Sequence, residues 1–147
     1  MTTSDMYPGL PDPETHPEYY SGVAMKRGLA WCVDSVVVAL LTAVGVLFTA
    51  FIGLFFLPLL FLLIGFLYRW VTISNGSATP GMRLFNIALR DRFGEPFDAS
   101  AAFMHTAGYT LSMAIFPLQL ISVALMLITE RGQGLTDHIL GTVAVNR

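Results

Sequence analysis

Residues 35–68 contain no Asp, Glu, Lys or Arg, a run of 34 uncharged residues. A membrane-spanning helix needs about 20 apolar residues, so this run constrains the chain to a fold that buries it in lipid. Asp34 stands at the head of the run, where an ionisable side chain is costly unless it faces protein or water and has a partner. Arg27 lies seven residues earlier, and on a helix the two side chains share one face.

The composition agrees with a small integral membrane protein whose first partner is the lipid bilayer. Of the 147 residues, 54% are hydrophobic and the mean hydropathy is +0.65. Only 12% are charged, whereas a typical soluble domain has roughly 25%. The net charge of −2 and the lack of Lys/Arg clusters argue against nucleic-acid binding. One cysteine permits neither an internal disulfide nor a paired-cysteine zinc site.

Residues 1–22 differ in composition from the rest of the chain. They hold four of the eight prolines and four acids but no Lys or Arg. Such a segment cannot bury enough apolar surface to become ordered, and it lacks the features of a secretory signal. The sequence therefore predicts a flexible, acidic, Pro-rich tail at 1–22 and one membrane domain at 23–147.

Two transmembrane helices are predicted at about 25–50 and about 54–73, joined by a tight turn. The turn carries no charge, whereas Lys26, Arg27 and Arg69 lie at the opposite ends of the two helices. By the positive-inside rule, the N-terminus is expected in the cytoplasm and the turn outside.

The third apolar region covers residues 99–129, which carry no formal charge, and has Pro117 near its middle. One straight helix of this length would be about 46 Å long, longer than the roughly 30 Å apolar core. One solution is a tilted, Pro-kinked span with the C-terminus outside. The other is a hairpin of two short helices that turns near Pro117 and returns Asp137 to the side of Arg27. Either way the apolar helical region is predicted at about 100–129, followed by a C-terminal tail at 130–147.

A small β-hairpin is predicted at about 82–98, on the cytoplasmic membrane surface. Residues 84–89 form a short apolar run, and residues 91–95 have turn character. Residues 142–145 also have strand composition and could add a third strand. The predicted fold class is thus an all-α membrane protein with two transmembrane helices, a Pro-kinked third apolar region and a small cytoplasmic β-hairpin.

The Asp34 side chain is too short to reach the membrane–water interface. It leans back toward Arg27, since helical side chains point toward the N-terminus. Seven residues correspond to about 10.5 Å along a helix, so a third group must join the two. Asp137, in a loop-like segment near the C-terminus, is the candidate for that third group.

Three blocks of sequence carry a resemblance to a known family. They read K-R-x-x-A-x-x-x-D at 26–34, A-T-P-G-M-R-L at 78–84 with D-x-x-G at 91–94, and G-L-T-D-H-x-x-G-T-x-x-V at 134–145. In this order and spacing they resemble the RDD family of small bacterial membrane proteins, named for one Arg and two Asp, over about residues 23–146. The resemblance implies that Arg27, Asp34 and Asp137 are the signature residues.

The resemblance further implies a multi-pass protein of the bacterial inner membrane with a transport-related role, and ion–proton exchange has been proposed for some members. The chain departs from the pattern where many members carry an Arg near the start of the third segment, because it has His105 there. It also has His138 after the last Asp instead of a His directly before it. His105 is either a packed neutral side chain or a titratable substitute; it, His138 and Arg83 are auxiliary candidates.

Enzymatic chemistry finds little support in the sequence. No phosphate-binding glycine loop, nucleophile elbow, HExxH motif or Cys/His metal spacing is present, so no catalytic residue, metal or cofactor is predicted.

Two functional hypotheses remain. In the first, Asp34 binds a proton or cation in an ion- or proton-coupled transport role, and the few segments imply a homo-oligomer. In the second, the protein is a non-catalytic accessory or assembly subunit of a larger membrane complex, and the charged cluster only locks the helices together.

Overall fold

The computed structural model describes residues 7–147 and is mostly helical. Its two long apolar helices are α1, Val23–Phe48, and α2, Leu57–Ser74. Both belong to helical segments that are long and apolar enough to cross a membrane. The two predicted apolar helices are therefore confirmed, with boundaries shifted by three residues at most.

The outward faces of α1 and α2 are apolar and exposed. Exposing such a surface to water would cost free energy, whereas contact with the apolar core of a bilayer would not. The one hydroxyl on the buried face of α1, that of Thr42, donates a 2.7 Å hydrogen bond to the Val38 carbonyl and so stays satisfied within the helix. The exposed apolar side chains include Val36, Leu40, Leu47, Leu59, Leu63 and Leu67.

The turn between α1 and α2 consists of a short 3₁₀ helix, Ile52–Phe56, and the residues before it. Ala50 and Phe51 adopt positive φ angles of 52° and 67°, which end α1 sharply. The Thr49 hydroxyl accepts a 3.0 Å hydrogen bond from the Gly53 amide. The chain thereby reverses within an uncharged segment whose donors remain paired, as a turn at the edge of lipid requires.

The third apolar region is a bent pair of helices. Helix α4 covers Ala99–Ala114 and α5 covers Phe116–Ile128, with a bend of 118° between their axes. (α3 is the short helix Pro80–Leu84.) The bend falls next to Pro117, in the first turn of α5, where its missing N–H costs nothing.

The lengths of the bent pair explain the break. The two helices are about 24 and 20 Å long at 1.5 Å per residue, so each is shorter than a roughly 30 Å span. The bend exceeds a right angle, so α5 turns back toward the side from which α4 came. The hairpin alternative stays a prediction. Asp137 returns to Arg27, with 2.6 Å between their closest atoms.

A two-stranded antiparallel sheet is present, but its strands are not those of the predicted hairpin. Strand β1, Ile87–Arg90, pairs with β2, Val143–Asn146, so that Ala88 lies opposite Val145. The prediction of a local β-hairpin at 82–98 is therefore wrong. The C-terminal segment suggested as a third strand is in fact the only partner of β1 among the described residues.

Two local signals prevent the predicted hairpin. The Thr79 hydroxyl caps α3 by accepting a 3.2 Å hydrogen bond from the Met82 amide, so the residues before β1 are helical. After β1, one Asp91 carboxylate oxygen accepts hydrogen bonds of 2.9 Å from the amides of Phe93 and Glu95. An Asp that binds the backbone in this way forms a compact loop instead of a returning strand.

The two chain ends also differ from the predicted tails. The C-terminal 130–147 contains a short helix, α6, Leu135–Leu140, followed by β2. Residues 7–22 lie against the domain, where the Gly9 amide donates a 3.1 Å hydrogen bond to the Arg92 carbonyl and Tyr20 packs on Val143 and Val145. Burial raises the pKa of Tyr20. Mobility of this segment stays a prediction, and residues 1–6 of the predicted tail lie outside the described residues.

The larger hydrophobic core lies at one end of the molecule, beneath the sheet. The ends of α1 and α2 that carry the charges meet β1, β2 and the start of α4 there. This end cap fixes the positions of the helix ends and of the polar residues between them. The core consists of Val23, Ala30, Ile73, Ala78, Met82, Ile87, Ala88, Leu89, Phe97, Ala102 and Ala144.

Candidate functional site

Among the described residues, Asp137 is the polar side chain with the most hydrogen-bond partners. It is only 1% exposed, and its Oδ2 accepts hydrogen bonds from Arg27 Nη1 at 2.6 Å and from the Gly134 amide at 3.0 Å. Its Oδ1 accepts a 2.6 Å bond from the Thr142 hydroxyl and lies 3.0 Å from His105 Nε2. Since a carboxylate can only accept, the proton of this last bond belongs to Nε2.

The local sequence explains how Asp137 reaches these partners. It is the third residue of α6, where its carboxylate bonds back to the amide of Gly134, the residue that precedes the helix. Gly141 ends the helix with a φ of 73°, a left-handed conformation that favours glycine. That turn brings Thr142 back over Asp137. The G-L-T-D-H-x-x-G-T pattern thus forms a short helix whose flanking residues, Gly134 and Thr142, donate hydrogen bonds to the Asp137 carboxylate.

The charge of Asp137 is retained although the residue is buried. Burial alone would raise the pKa of the Asp137 carboxyl, but the Arg27 guanidinium and the bonds from His105 and Thr142 outweigh it. The pKa is therefore held well below its usual range, and the carboxylate is ionised at neutral pH. The Arg27 side chain, only 9% exposed, is its charge partner and also donates a 3.1 Å bond to the Gly132 carbonyl.

Asp34 lies on α1, is 4% exposed and has a separate set of partners. Its Oδ1 accepts a 2.8 Å hydrogen bond from the Tyr68 hydroxyl and a 2.9 Å bond from the Gly81 amide. Its Oδ2 accepts a short bond from the Thr79 hydroxyl. These three donors are neutral, unlike the guanidinium that faces Asp137.

The segment that supplies two of these donors is the start of α3. Thr79 precedes Pro80 in an extended conformation, and Gly81 follows within the first turn. A Cβ atom at Gly81 would lie 2.8 Å from Asp34 Oδ1, so a side chain there would push α3 away from α1. The T-P-G sequence therefore serves to dock α3 onto the Asp34 carboxylate.

The structure brings together only two of the three predicted cluster residues directly. Arg27 binds Asp137, as the sequence predicted, but no contact joins Asp34 to either of them. Arg27 and Asp34 are seven residues apart on α1, so Asp137, which binds Arg27, and Asp34 have different partners. The expectation of one three-residue cluster is replaced by two neighbouring sites.

A comparison with known families adds to this geometry. The model of the RDD family matches residues 22–141, a stretch that contains Arg27, Asp34 and Asp137. This chain belongs to the RDD family. Comparisons with curated proteins and with solved structures find no match.

One cavity of about 350 Å³ connects the two carboxylate sites of this RDD protein. Arg27, Asp34 and Asp137 all line it, together with Arg69 and His105. Its remaining walls come mainly from apolar residues of α1, α4 and α5. The family's signature residues therefore share a cavity although they do not form a single hydrogen-bonded cluster.

Arg69 is the functional candidate that sequence reasoning missed, because it was taken as a flanking positive charge. It is 6% exposed, and its guanidinium lies over the Tyr109 ring, 3.9 Å from the centroid. A signal was available: Arg69 lies five residues before the last residue of α2, which is more than one turn inside the helix. Tyr68, whose hydroxyl bonds the Asp34 carboxylate, was also missed.

The three auxiliary candidates differ in their burial and in their distance from the cavity. His105 is buried, contacts the Asp137 carboxylate and lines the cavity, so it stands beside the last signature Asp. His138 is exposed and bonds only its own helix, through a 2.8 Å contact with the Gly134 carbonyl. Arg83 is also exposed and reaches the Thr72 carbonyl, away from the cavity. Among residues 7–147, no group of three or more His, Cys, Asp or Glu is arranged to hold a metal ion.

Proposed function

We propose that this RDD protein has a transport-related role coupled to the movement of a proton or another small cation. The observation that carries the proposal is that Asp34 and Arg69 line two cavities at once, of about 350 and 50 Å³. Buried ionisable side chains in membrane segments are rare, and they commonly mark ion pathways and proton relays.

The two cavities share a wall of five residues. The larger one reaches Asp137, near the charged end of the molecule, and the smaller one follows α1 and α2 toward Val38 and Phe61. A route for a cation or proton would therefore have its barrier at this wall. The wall consists of Trp31, Asp34, Arg69, Tyr109 and Met113.

Asp34 is the group to which we assign the proton or cation. Its three hydrogen-bond donors are neutral, so a proton or cation can compensate its charge without displacing an arginine. The Tyr68 hydroxyl lines the smaller cavity and bonds Asp34 Oδ1. Rotation of the Tyr68 side chain would open that oxygen to the smaller cavity, which makes Tyr68 the gating residue of the proposal.

The Arg27–Asp137 pair has a positioning role in this proposal. Its four hydrogen-bond donors leave Asp137 no free acceptor site facing the cavity. The pair therefore holds α6 against α1 while Asp34 changes its charge state.

The same proposal includes an orientation in the bacterial inner membrane as a multi-pass protein. Lys26, Arg27 and Arg69 lie in the halves of α1 and α2 that are away from the turn at 49–56. The other five Lys and Arg residues lie outside α1, α2, α4 and α5, and neither that turn nor the bend at Ile115 carries one. The positive-inside rule favours a cytoplasmic N-terminus and a cytoplasmic sheet. Because one chain offers few segments, we expect a homo-oligomer.

Proton flux into liposomes that contain the purified protein tests the proposal. We expect an imposed cation gradient to change the internal pH, read from an enclosed pH-sensitive dye, and Asp34→Asn to abolish the change. Glu130→Gln is the matched control, because Glu130 is exposed and outside the cavity. Equal flux in wild type, Asp34→Asn and empty liposomes would exclude the transport role.

A specific observation also supports the alternative role as an accessory or assembly subunit. The Asp137 carboxylate accepts four hydrogen bonds from protein groups, as expected for a residue whose role is to hold helices together. Purification in a mild detergent followed by native mass spectrometry distinguishes the two roles. A stoichiometric larger membrane protein supports the subunit role, and a homo-oligomer of this chain alone supports the transport role.

A further inference from the structure

Among the described residues that line the larger cavity, the Arg69 guanidinium lacks both an ion-pair partner and an acceptor for its Nε. Arg27 has Asp137 as its partner, and the Asp34 oxygens are bonded to neutral donors. The Nε of Arg69 is buried and donates no hydrogen bond to any residue in the described part of the chain. No described carboxylate lies within ion-pair distance of it, and the Tyr109 ring covers only one of its faces.

The buried Nε–H of this guanidinium therefore lacks an acceptor. Leaving such a charge unpaired is costly. Its planar fork matches the two oxygens of a carboxylate or phosphate, which bind arginine through paired, charge-assisted hydrogen bonds. Arg69 lines the larger cavity, so an anion that enters the cavity can reach it.

The cavity opens toward the apolar phase and not only toward water. Phe116, Leu120 and Leu127 of α5 line the cavity, and they are also 65%, 56% and 71% exposed. Trp31 of α1, 41% exposed, lines it from the other side. Because these side chains belong both to the wall and to the outer surface of membrane helices, the opening lies between α1 and α5, at the lipid boundary.

From these observations we infer that the cavity binds an amphiphilic anion, with its carboxylate or phosphate head on Arg69 and a single acyl chain leaving between α1 and α5. The volume of about 350 Å³ is at the low end of ligand pockets, which span roughly 300–1,000 Å³. It suits a head group and the first part of one chain. The inference rests on the proposed function, because it names the chemical class of the molecule that the proton- or cation-coupled transport would act on. Binding of that molecule can be tested separately from transport.

Fluorescence of Trp31 reports occupancy of this site. The chain has two tryptophans, and Trp70→Phe leaves Trp31, whose Nε1 donates a 2.7 Å bond to the Tyr109 hydroxyl, as the only reporter. We expect brominated stearate to quench this fluorescence in detergent micelles. Its half-saturation concentration should be roughly ten- to a hundredfold lower than that of the brominated methyl ester, because only the acid makes charge-assisted bonds to Arg69.

Two substitutions identify the arginine. Arg69→Gln should abolish the preference for the acid over the ester, whereas Arg69→Lys should retain part of it because the positive charge remains. Arg147→Gln is the matched control at an exposed position and should leave the preference unchanged. Size-exclusion profiles confirm that each variant is folded. Equal quenching by acid and ester in the wild type, or a preference that survives Arg69→Gln, would overturn the inference.

Competition experiments separate the sources of the anion. Stearate and lysophosphatidate are both single-chain anions, and displacement of the brominated probe by either supports the site and identifies the better head group. Displacement by inorganic phosphate at the same concentration would show that the acyl chain contributes nothing and would overturn the amphiphile assignment. If acid-selective binding is absent while proton flux persists, the inference fails and the proposed function stands.

Discussion

At the scale of single residues, the Arg27–Asp137 ion pair fixes the positions of three segments. Arg27 belongs to α1, Asp137 to α6, and His105 of α4 contacts the same carboxylate. Both members of the pair are buried, so removing one leaves the other charge uncompensated in a site of low dielectric constant. Asp34 depends on neutral donors and is not part of this balance.

A double-mutant cycle tests that separation. Arg27→Met should lower the free energy of unfolding by about 3–5 kcal/mol, the usual cost of an unpaired buried charge. Adding Asp137→Asn should recover part of the loss because it removes the orphaned carboxylate, whereas adding Asp34→Asn should recover none. Unfolding in mixed detergent–SDS micelles provides the measurement.

Arg147→Ala, at an exposed position, is the control for this cycle and should change the free energy of unfolding by less than about 0.5 kcal/mol. Recovery by Asp34→Asn equal to that by Asp137→Asn would mean that all three residues form one electrostatic unit, which would contradict the contacts described above.

At the scale of elements, the sheet connects segments that lie far apart in the chain. Residues 87–90 pair with residues 143–146, and both strands contact α1. The Lys26 ammonium donates a 2.6 Å hydrogen bond to the Asn146 side chain, which ties β2 to the start of α1. The C-terminal strand therefore closes the end cap that positions Asp137.

Val145→Pro tests the strand pairing. Proline lacks the N–H that a paired strand residue supplies, and Val145 lies opposite Ala88. We expect the loss of a buried hydrogen bond to destabilise the protein by about 1–3 kcal/mol. Hydrogen exchange should show faster exchange of the Ala88 amide. Unchanged protection of Ala88 in the variant would indicate that β1 has another partner, such as the segment at 95–98.

At the scale of the whole molecule, polar and apolar surfaces are separated along the helix axes. The end cap contains the charged residues and the larger hydrophobic core, and the other end consists of uncharged turns. Exposed apolar side chains cover the helices between the two ends. This separation matches the alternation of water, interface and lipid across a bilayer.

Reporter fusions test the orientation that follows from this separation. A fluorescent protein fused after Arg147 should be bright in the cytoplasm, and alkaline phosphatase at the same point should be inactive, because the end cap carries the Lys and Arg residues. Alkaline phosphatase inserted at Ile52 should be active in the periplasm. A phosphatase that is active only after Arg147 would reverse the orientation and refute the prediction of a cytoplasmic N-terminus.

The sequence by itself determined the features that depend on local composition. The uncharged run at 35–68 indicated two helices apolar enough to cross a membrane, and the structure has both. The excess length of 99–129 together with Pro117 limited that region to two shapes. The order and spacing of the three sequence blocks at 26–34, 78–94 and 134–145 identified the family, because a motif is a property of the chain itself.

Only the tertiary structure decided how distant segments meet. The choice of β2 as the partner of β1, the separate partners of Asp34, and the place of Arg69 in the cavity depend on contacts between residues far apart in sequence. Local propensity does not encode such contacts, because several partners offer similar backbone hydrogen bonds. Packing of the whole end cap selects among them, and it leaves the Arg69 guanidinium facing a cavity where the sequence had indicated only a helix end.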